Sequence, residues 1–237
     1  MIHTISPNKP TPGPDYLQPT SFLDRDHPAV RDFARSVTEG ANDPVERAVK
    51  LFYAVRDRIR YDPFAVRLEP EQYVASAVLT AGRAYCLPKA ILLAAAARAS
   101  GIPAAIGLSD VVNHLTTDKL KARMGGQTLF IHHGYAVLHL DGKWLKAAPA
   151  FNIELCQRFD VRPTEFDGSS DAVFQEYDAR DRRHMEYVKD SGVWSDFPFE
   201  RVTADFRALY PASFYSPVEA GEQFEDGADG QATRRGS

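Results

Sequence analysis

Cysteine is scarce in this chain, since only Cys86 and Cys156 occur among 237 residues. Two thiols cannot form the disulfide framework of a small secreted domain. No histidines or carboxylates cluster with them in the way that a metal site requires. We therefore expect free thiols in a reducing compartment, and the sequence predicts neither a metal nor another cofactor.

Long apolar runs and concentrations of one charge are also absent. The longest apolar run lies within residues 90–97, which is far too short to span a bilayer, and the amino end has no apolar signal segment. The formal net charge is only −4, and basic residues are interspersed with acidic ones, so no basic stripe is available for phosphates. These absences predict a soluble, cytoplasmic protein that binds neither membranes nor nucleic acids.

The chain does contain enough apolar residues, 44% of the total, to form one main core. Its composition divides it into a proline-rich extended arm over 1–20, a core over 21–150, an extension over 151–215 that packs on the core, and a disordered tail over 216–237. Within the extension, the sequence predicts helices over 154–159, 182–189 and 202–209.

Helix signals are clearest in the first half of the chain. Asp43 can cap a helix that begins at Pro44, and apolar residues follow at helical spacing as far as Ile59. A shorter helix is predicted to begin near Pro28, and another is predicted over 71–79. These helices should pack their apolar sides on the core.

Cys86 is the most informative residue, because it lies at the start of an Ala- and Leu-rich segment that ends at Gly101. Pro88 fits the first turn of a helix, where backbone N–H groups have no intrahelical partners. Those groups and the positive end of the helix dipole favour a thiolate, so the sequence predicts a lowered pKa and a nucleophilic sulfur. The helix is apolar on nearly every side, which predicts a buried central position.

A β-hairpin is predicted around the dipeptide Asp141-Gly142, which favours a two-residue turn between strands over 128–140 and 143–148. The register that follows pairs Leu140 with Lys143, His139 with Trp144, Tyr135 with Ala148 and His133 with Ala150. Alternation of side chains then places His133 and His132 on opposite faces of the sheet.

Several of these segments, in this order, resemble the transglutaminase-like superfamily, whose fold is related to that of papain. The matching pieces are the segments 55–61 and 75–79, the Cys86 helix with 98–103, and His133-Gly134-Tyr135 leading to 141–144. The resemblance implies an α+β fold, in which a central helix packs on an antiparallel β-sheet and a helical C-terminal extension follows. It also implies a catalytic triad, with Cys86 as the thiol nucleophile and His133 as the base.

The chain departs from the family pattern at the third position of the triad. The family usually has Asp-Pro after the tryptophan of the hairpin, and here the acid position holds Ala148. We expect Asp110 to orient His133 instead, because a short apolar strand over 104–108 is predicted to end beside it. The alternatives are Asn152 and Asp118.

The leading hypothesis is a hydrolase or acyltransferase, such as a cysteine protease or a transglutaminase, whose thiol takes an acyl group from a peptide, another amide, an ester or a thioester. The acyl acceptor and the oligomeric state are left open. The alternative is a catalytically inactive module of the same fold that binds a peptide or a partner protein. The missing acid at Ala148 favours the module, whereas the retained Cys86 and His133 favour the enzyme. A Cys86 pKa well below about 7 is expected for the enzyme, and one of about 8.5 for the module.

Overall fold

The computed structural model describes residues 12–114, 116–173 and 184–217. It confirms an α+β fold in which helices pack on an antiparallel β-sheet. The helices are α1 (Pro28–Val37), α2 (Pro44–Arg58), α3 (Ala75–Ala81), α4 (Cys86–Ala99), α5 (Asp118–Arg123), α6 (Ile153–Phe159) and α7 (Phe199–Leu209). The strands are β1 (Arg60–Tyr61), β2 (Arg83–Ala84), β3 (Ala104–Asn113), β4 (Leu129–Leu140), β5 (Lys143–Ala147) and β6 (Met185–Trp194).

Four strands form the main sheet in the order β5-β4-β3-β6, and each neighbouring pair is antiparallel. β1 and β2 form a separate parallel pair. This pair ties the chain that leaves α2 to the residues just before Cys86, and so it fixes the start of α4.

α4 is the central helix, as its composition predicts. Every residue from Cys86 to Arg98 is buried, and α4 packs against β4 while α1, α2 and α3 pack around it. The fully buried guanidinium of Arg98 donates to the backbone carbonyls of Gln18, Ala104 and Ser195. These hydrogen bonds replace water around a buried charge, and they tie the N-terminal segment and the end of β6 to α4.

α2 begins as predicted, because the side chain of Asp43 accepts a hydrogen bond from the backbone N–H of Glu46 (2.8 Å). The carbonyls at the end of α2 accept hydrogen bonds from a side chain of another helix. Lys89 of α4 donates from Nζ to the carbonyls of Arg56 (2.8 Å) and Ile59 (2.5 Å). Lys89 is fully buried, and burial lowers the pKa of its ammonium group to about 7.

The hairpin has the predicted register near its turn, where the two pairs next to Asp141-Gly142 are those expected. The ladder ends at the pair Ala136–Ala147, so the predicted pairs with Ala148 and Ala150 are absent from the described sheet. The N–H of Ala148 donates instead to the carbonyl of Ala172 (2.8 Å). β5 therefore does not pair with β4 beside the two histidines.

β3 runs past the predicted end of its strand. It continues to Asn113, so Asp110 lies inside the strand rather than at its end. The register shifts between the pairs Ser109–His133 and Val111–Phe130. Such a bulge bends a strand and redirects its side chains, and here it lies beside the tandem histidines.

The predicted helix over 182–189 is wrong, since Met185–Trp194 forms strand β6. Residues 182 and 183 lie outside the described residues. β6 pairs with β3, so the extension after residue 150 completes the sheet. The pairing partners lie far earlier in the chain, which is why local patterning did not predict this strand. The other two helices of the extension are confirmed as α6 and α7.

The predicted helix over 71–79 is divided in two. Pro70–Tyr73 forms a 3-10 turn, and α3 begins only at Ala75, because Val74 between them is extended (ψ 129°). Residues 1–11 of the predicted arm and 218–237 of the predicted tail lie outside the described residues.

Candidate active site

Cys86 is the first residue of α4, at the helix N-terminus that the sequence predicts. Only 8% of the residue is exposed. The backbone N–H groups of Gly134, Leu87 and Cys86 itself lie near its sulfur and favour the thiolate. Donors in this arrangement can hold the oxyanion that forms when a thiolate attacks a carbonyl carbon.

Gly134 permits the close approach of β4 to α4. A Cβ on this residue would lie 2.6 Å from the Cα of Leu87, which is much closer than carbon atoms pack. A glycine is therefore needed for the start of α4 to lie against the strand edge. This constraint explains the middle residue of the motif His133-Gly134-Tyr135.

The protonation of Cys86 differs from the sequence-based expectation. Burial raises the pKa of its thiol to about 11, although the three N–H groups and the charge of Lys89 act in the opposite direction. The predicted lowering of the pKa is wrong, because desolvation of the thiolate outweighs the helix terminus. The sulfur is protonated at neutral pH, so its attack on a carbonyl requires a base.

A cavity of about 50 Å³ adjoins Cys86 and is enclosed mainly by aromatic and aliphatic side chains. Among the described residues, its lining contains two histidines and no Asp, Glu, Lys or Arg. The lining residues are Tyr61, Pro63, Val66, Tyr85, Cys86, Val111, Asn113, Leu120, Phe130, Ile131, His132, His133, Phe151, Met185, Phe206, Tyr210 and Phe214. The thiol thus faces an apolar space that it shares with two imidazoles.

His133, the predicted base, lines this cavity and is only 4% exposed. Its ring lies 6.2 Å from that of Tyr187, measured between centroids. Burial lowers the pKa of its imidazole to about 3. His133 is therefore a neutral imidazole across the physiological pH range.

His132 lines the same cavity as His133, although regular alternation predicts opposite faces for the two side chains. Its backbone has a positive φ of 56°, which interrupts the regular alternation of β4 at a bulge where Ile131 and His132 together face Asp110. Its Nε2 lies 2.7 Å from Oδ2 of Asp205 on α7, and its ring packs 6.1 Å from that of Phe206. The structure therefore supplies a carboxylate to His132.

Asp110, the predicted orienting acid, contacts the backbone of the neighbouring histidine. Its Oδ1 accepts hydrogen bonds from the N–H of His132 (3.0 Å) and from Oγ of Ser191 (3.3 Å). These contacts hold the unusual backbone of His132 in place. The role of Asp110 toward His133 stays a prediction.

The other predicted alternatives lie in different surroundings. Asn152 is buried, where its Oδ1 accepts from the N–H of Tyr61 (3.1 Å) and its Nδ2 donates to Glu154 (2.8 Å). Asp118 is exposed at the first turn of α5. Ala148, at the family's acid position, is buried in a small apolar cluster with Tyr135.

Two site residues, Asp205 and Tyr210, were not predicted from the sequence. The hydroxyl of Tyr210 donates to the carbonyl of Leu129 (2.8 Å) and accepts from the N–H of Ile131 (2.9 Å). Both residues lie on or just after α7, and the sequence of that helix contains no signal for the strand that it contacts. Amphipathic spacing predicts a buried face but not the partner of that face.

Two further findings concern the described residues only. Within them, no group of three or more His, Cys, Asp or Glu side chains is placed to hold a metal ion. None of their helices is both long and apolar enough to cross a membrane.

Residues 31–149 match the transglutaminase-like superfamily. The match covers half of the 237 residues, and the chain belongs to this superfamily. The Cys86 helix, the tandem histidines and the hairpin all lie within the matched segment, whereas Asp205 lies outside it.

Two solved structures are similar to the chain at low identity. A candidate cysteine protease from Cytophaga hutchinsonii is 13% identical, with 75% of this chain and 52% of that chain covered and a TM-score of 0.44. A candidate protease from Parabacteroides distasonis is 19% identical, with 54% of this chain and 26% of that chain covered and a TM-score of 0.36. This chain thus spans about half the length of the first and about a quarter of the second. No curated protein is significantly similar in sequence.

Proposed function

We propose that this chain is a cysteine-nucleophile enzyme that hydrolyses or transfers an acyl group through an acyl-enzyme on Cys86. The observation that carries the proposal is the surroundings of the sulfur. Three backbone N–H groups lie near it and favour its thiolate, and it adjoins a cavity that two histidines line. Membership in the transglutaminase-like superfamily supports the same chemistry.

The proposed reaction begins when an imidazole takes the thiol proton and the sulfur attacks the carbonyl carbon of an amide, ester or thioester. The electron pair of the C=O bond moves to oxygen, where the N–H groups at the start of α4 stabilise the negative charge. Collapse of this intermediate breaks the bond to the leaving group, which takes the proton from the imidazole. Water or another nucleophile then attacks the thioester on Cys86. His133 is the imidazole at the family's base position.

The test is acylation of the purified chain by p-nitrophenyl butyrate. We expect a burst of about one equivalent of nitrophenolate, and a butyryl group on the peptide that contains Cys86, detected by mass spectrometry. Cys86→Ala should abolish both signals. Cys156→Ala is the matched control, because Cys156 is the other buried thiol and burial raises the pKa of its thiol to about 12.

Absence of butyryl transfer to Cys86 in the wild type, with unfolding curves that show an intact protein, would contradict the proposal. That outcome would favour the binding module, for which the alanine at position 148 and the raised pKa of the Cys86 thiol are the specific observations.

A further inference from the structure

We propose that residues 116–126, which contain α5, form a lid over the cavity at Cys86, and that Arg123 latches this lid to a strap over residues 211–216. The inference goes beyond the proposed function, because it concerns how a substrate or reagent reaches the thiol. Both segments help to enclose the cavity, the lid through Leu120 and the strap through Phe214. Access to the sulfur is measurable by chemical labelling, so the lid is testable whether or not Cys86 is acylated.

The first support is the closure of the site. Cys86 is only 8% exposed and His133 only 4% exposed, and the cavity beside them has a volume of about 50 Å³. Proteins bind drug-sized molecules in clefts of roughly 300–1,000 Å³. An ester, thioester or peptide that places its carbonyl carbon at the sulfur needs more room than the closed cavity offers. Part of the wall therefore has to move before such a molecule reaches the sulfur.

The second support is the construction of the lid. Of the six residues of α5, all of which the structure describes, only Leu120 is buried. The backbone N–H of Asn113 donates to the carbonyl of Thr128 (3.1 Å), so the ends of β3 and β4 hold the base of the lid together. On the β4 side the lid ends in Gly125 and Gly126, whose φ angles of 67° and 87° favour glycine and form a flexible joint. The lid can therefore move on its base while both strands stay paired.

The third support is the latch between the lid and the strap. The guanidinium of Arg123 donates to the carbonyl of Ser216 (2.7 Å), and the carbonyl of Arg123 accepts from Oγ of Ser213 (3.0 Å). Phe214 lies between these two strap residues in the chain and is buried in the cavity wall. Cζ of Arg123 also lies 5.5 Å from the centre of the Phe64 ring. Because the two hydrogen bonds are exposed or part-buried, they can break without unfolding the core.

The rest of the cavity wall is less free to move. β3, β4 and β6 are paired in the main sheet, and α4 is buried at the centre of the helices. α7 is fixed to β4, since the hydroxyl of Tyr210 contacts the backbone of Leu129 and Ile131. Opening of the lid therefore exposes the sulfur at a smaller cost in free energy than opening of the sheet. The rate at which Cys86 reacts with a reagent then reports the fraction of molecules with an open lid.

The experiment measures iodoacetamide labelling of Cys86 by mass spectrometry, at one pH, in the wild type, Arg123→Met and Ser213→Ala. We expect Arg123→Met to speed labelling at least about tenfold, because a hydrogen bond from a charged donor is lost, and Ser213→Ala to speed it about threefold. Labelling of Cys156 in the same samples is the internal control, since this thiol is buried outside the cavity lining. Arg31→Met, which changes an exposed arginine of α1, is the matched control variant and should label at the wild-type rate.

Urea separates opening of the lid from unfolding of the whole chain. Lid opening exposes little surface, so below the unfolding transition the labelling rate of Cys86 should rise with urea much less steeply than the unfolding constant does. Wild-type labelling rates in both Arg123→Met and Ser213→Ala would overturn the inference. Equal acceleration of Cys86 and Cys156, or a Cys86 rate that follows global unfolding, would overturn it as well. These results are independent of butyryl transfer, which tests the proposed function separately.

Discussion

Among single residues, Gly134 sets the distance between the Cys86 thiol and the sheet. Its missing side chain lets the start of α4 approach β4 closely, and the Gly134 N–H on that strand favours the thiolate of Cys86. Any other residue would place its Cβ in this space. The stability of the fold and the geometry of the thiol therefore depend on one position.

Gly134→Ala should destabilise the protein by about 1–3 kcal/mol, because the new Cβ would overlap with Leu87 and force the helix or the strand to move. Urea unfolding measures the loss. Gly13→Ala is the control, since a Cβ there would have no atom within 4 Å and should change stability by less than about 0.5 kcal/mol. Equal stability of the two variants would contradict the assigned role of Gly134.

Lys89 lies one turn after Cys86. Its buried amine donates hydrogen bonds to two carbonyls at the end of α2. Burial lowers the pKa of this amine from 10.5 to about 7. Since the folded-state pKa is the lower one, the unfolded chain binds more protons between those values. The free energy of unfolding should therefore rise with pH across this window, and the cost of burying the charge should be fully present below it.

Lys89→Met removes this titration while keeping an apolar side chain of similar length. We expect the stability of the wild type relative to this variant to increase by about 1 kcal/mol per pH unit between roughly pH 7 and 9. Urea unfolding at several pH values tests the slope. Lys143 is exposed, so the stability difference between the wild type and Lys143→Met should not change with pH. If the difference for Lys89→Met did not change with pH either, the amine of Lys89 would titrate normally.

The residues of the candidate site differ in how far the sequence predicts them. Cys86 and its place at the helix start follow from Pro88 and the apolar segment after it. The partner of His132 does not, because Asp205 lies 73 residues away along the chain and only tertiary packing joins them. The protonated state of Cys86 was missed for a similar reason, since burial is a property of the folded molecule.

At the scale of elements, α7 determines the form of β4 before the histidines. The hydroxyl of Tyr210, just after α7, bridges the carbonyl of Leu129 and the N–H of Ile131. α7 also provides Phe206 to the cavity and Asp205 to His132. This helix therefore supports both the backbone and the side chains of the candidate site.

Tyr210→Phe should destabilise the protein by about 1–3 kcal/mol, because it leaves a part-buried carbonyl and N–H without their partner. Thermal unfolding measures this loss, and faster iodoacetamide labelling of Cys86 would report the loosened strand. Tyr215→Phe is the control, since the Tyr215 hydroxyl forms no hydrogen bond among the described residues. If Tyr215→Phe lowered the stability and Tyr210→Phe did not, the bridge formed by the Tyr210 hydroxyl would be contradicted.

Elements whose signals are local were predicted, and those that depend on distant pairing were not. Asp43 and Pro44 mark the start of α2, and Asp141-Gly142 fixes the hairpin register near the turn. β6 was predicted as a helix, because its ladder with β3 is invisible in its own sequence. The positive φ of His132 was missed because strand alternation assumes a regular backbone.

At the scale of the whole molecule, the cavity joins parts of the chain that are far apart in sequence. β1, the start of α4, both central strands, α5, β6 and α7 each contribute lining residues. Apart from the two histidines, no ionisable base or carboxylate is among the described residues that line it. A charged acyl group would lose its water here without gaining a partner.

We therefore expect acyl donors with small apolar acyl groups to be preferred. p-Nitrophenyl butyrate should acylate Cys86 at least about tenfold faster than the hemisuccinate ester, whose acyl chain ends in a carboxylate. Val111→Asp, which places a carboxylate in the buried lining, should reduce the butyrate rate. Equal rates for the two esters in the wild type would mean that the acyl group does not enter this cavity.

The order in which the cavity is assembled has a consequence during synthesis. Cys86 and α4 leave the ribosome long before Phe206, Tyr210 and Phe214, which enclose the cavity from the C-terminal side. Until those aromatic residues emerge, the nascent thiol is more open to water, and the burial that raises its pKa in the finished fold is incomplete. We therefore expect the growing chain to pass through a stage in which the Cys86 thiol is most exposed to oxidants and electrophiles, and emergence of the aromatic residues over 206–214 should end that exposure.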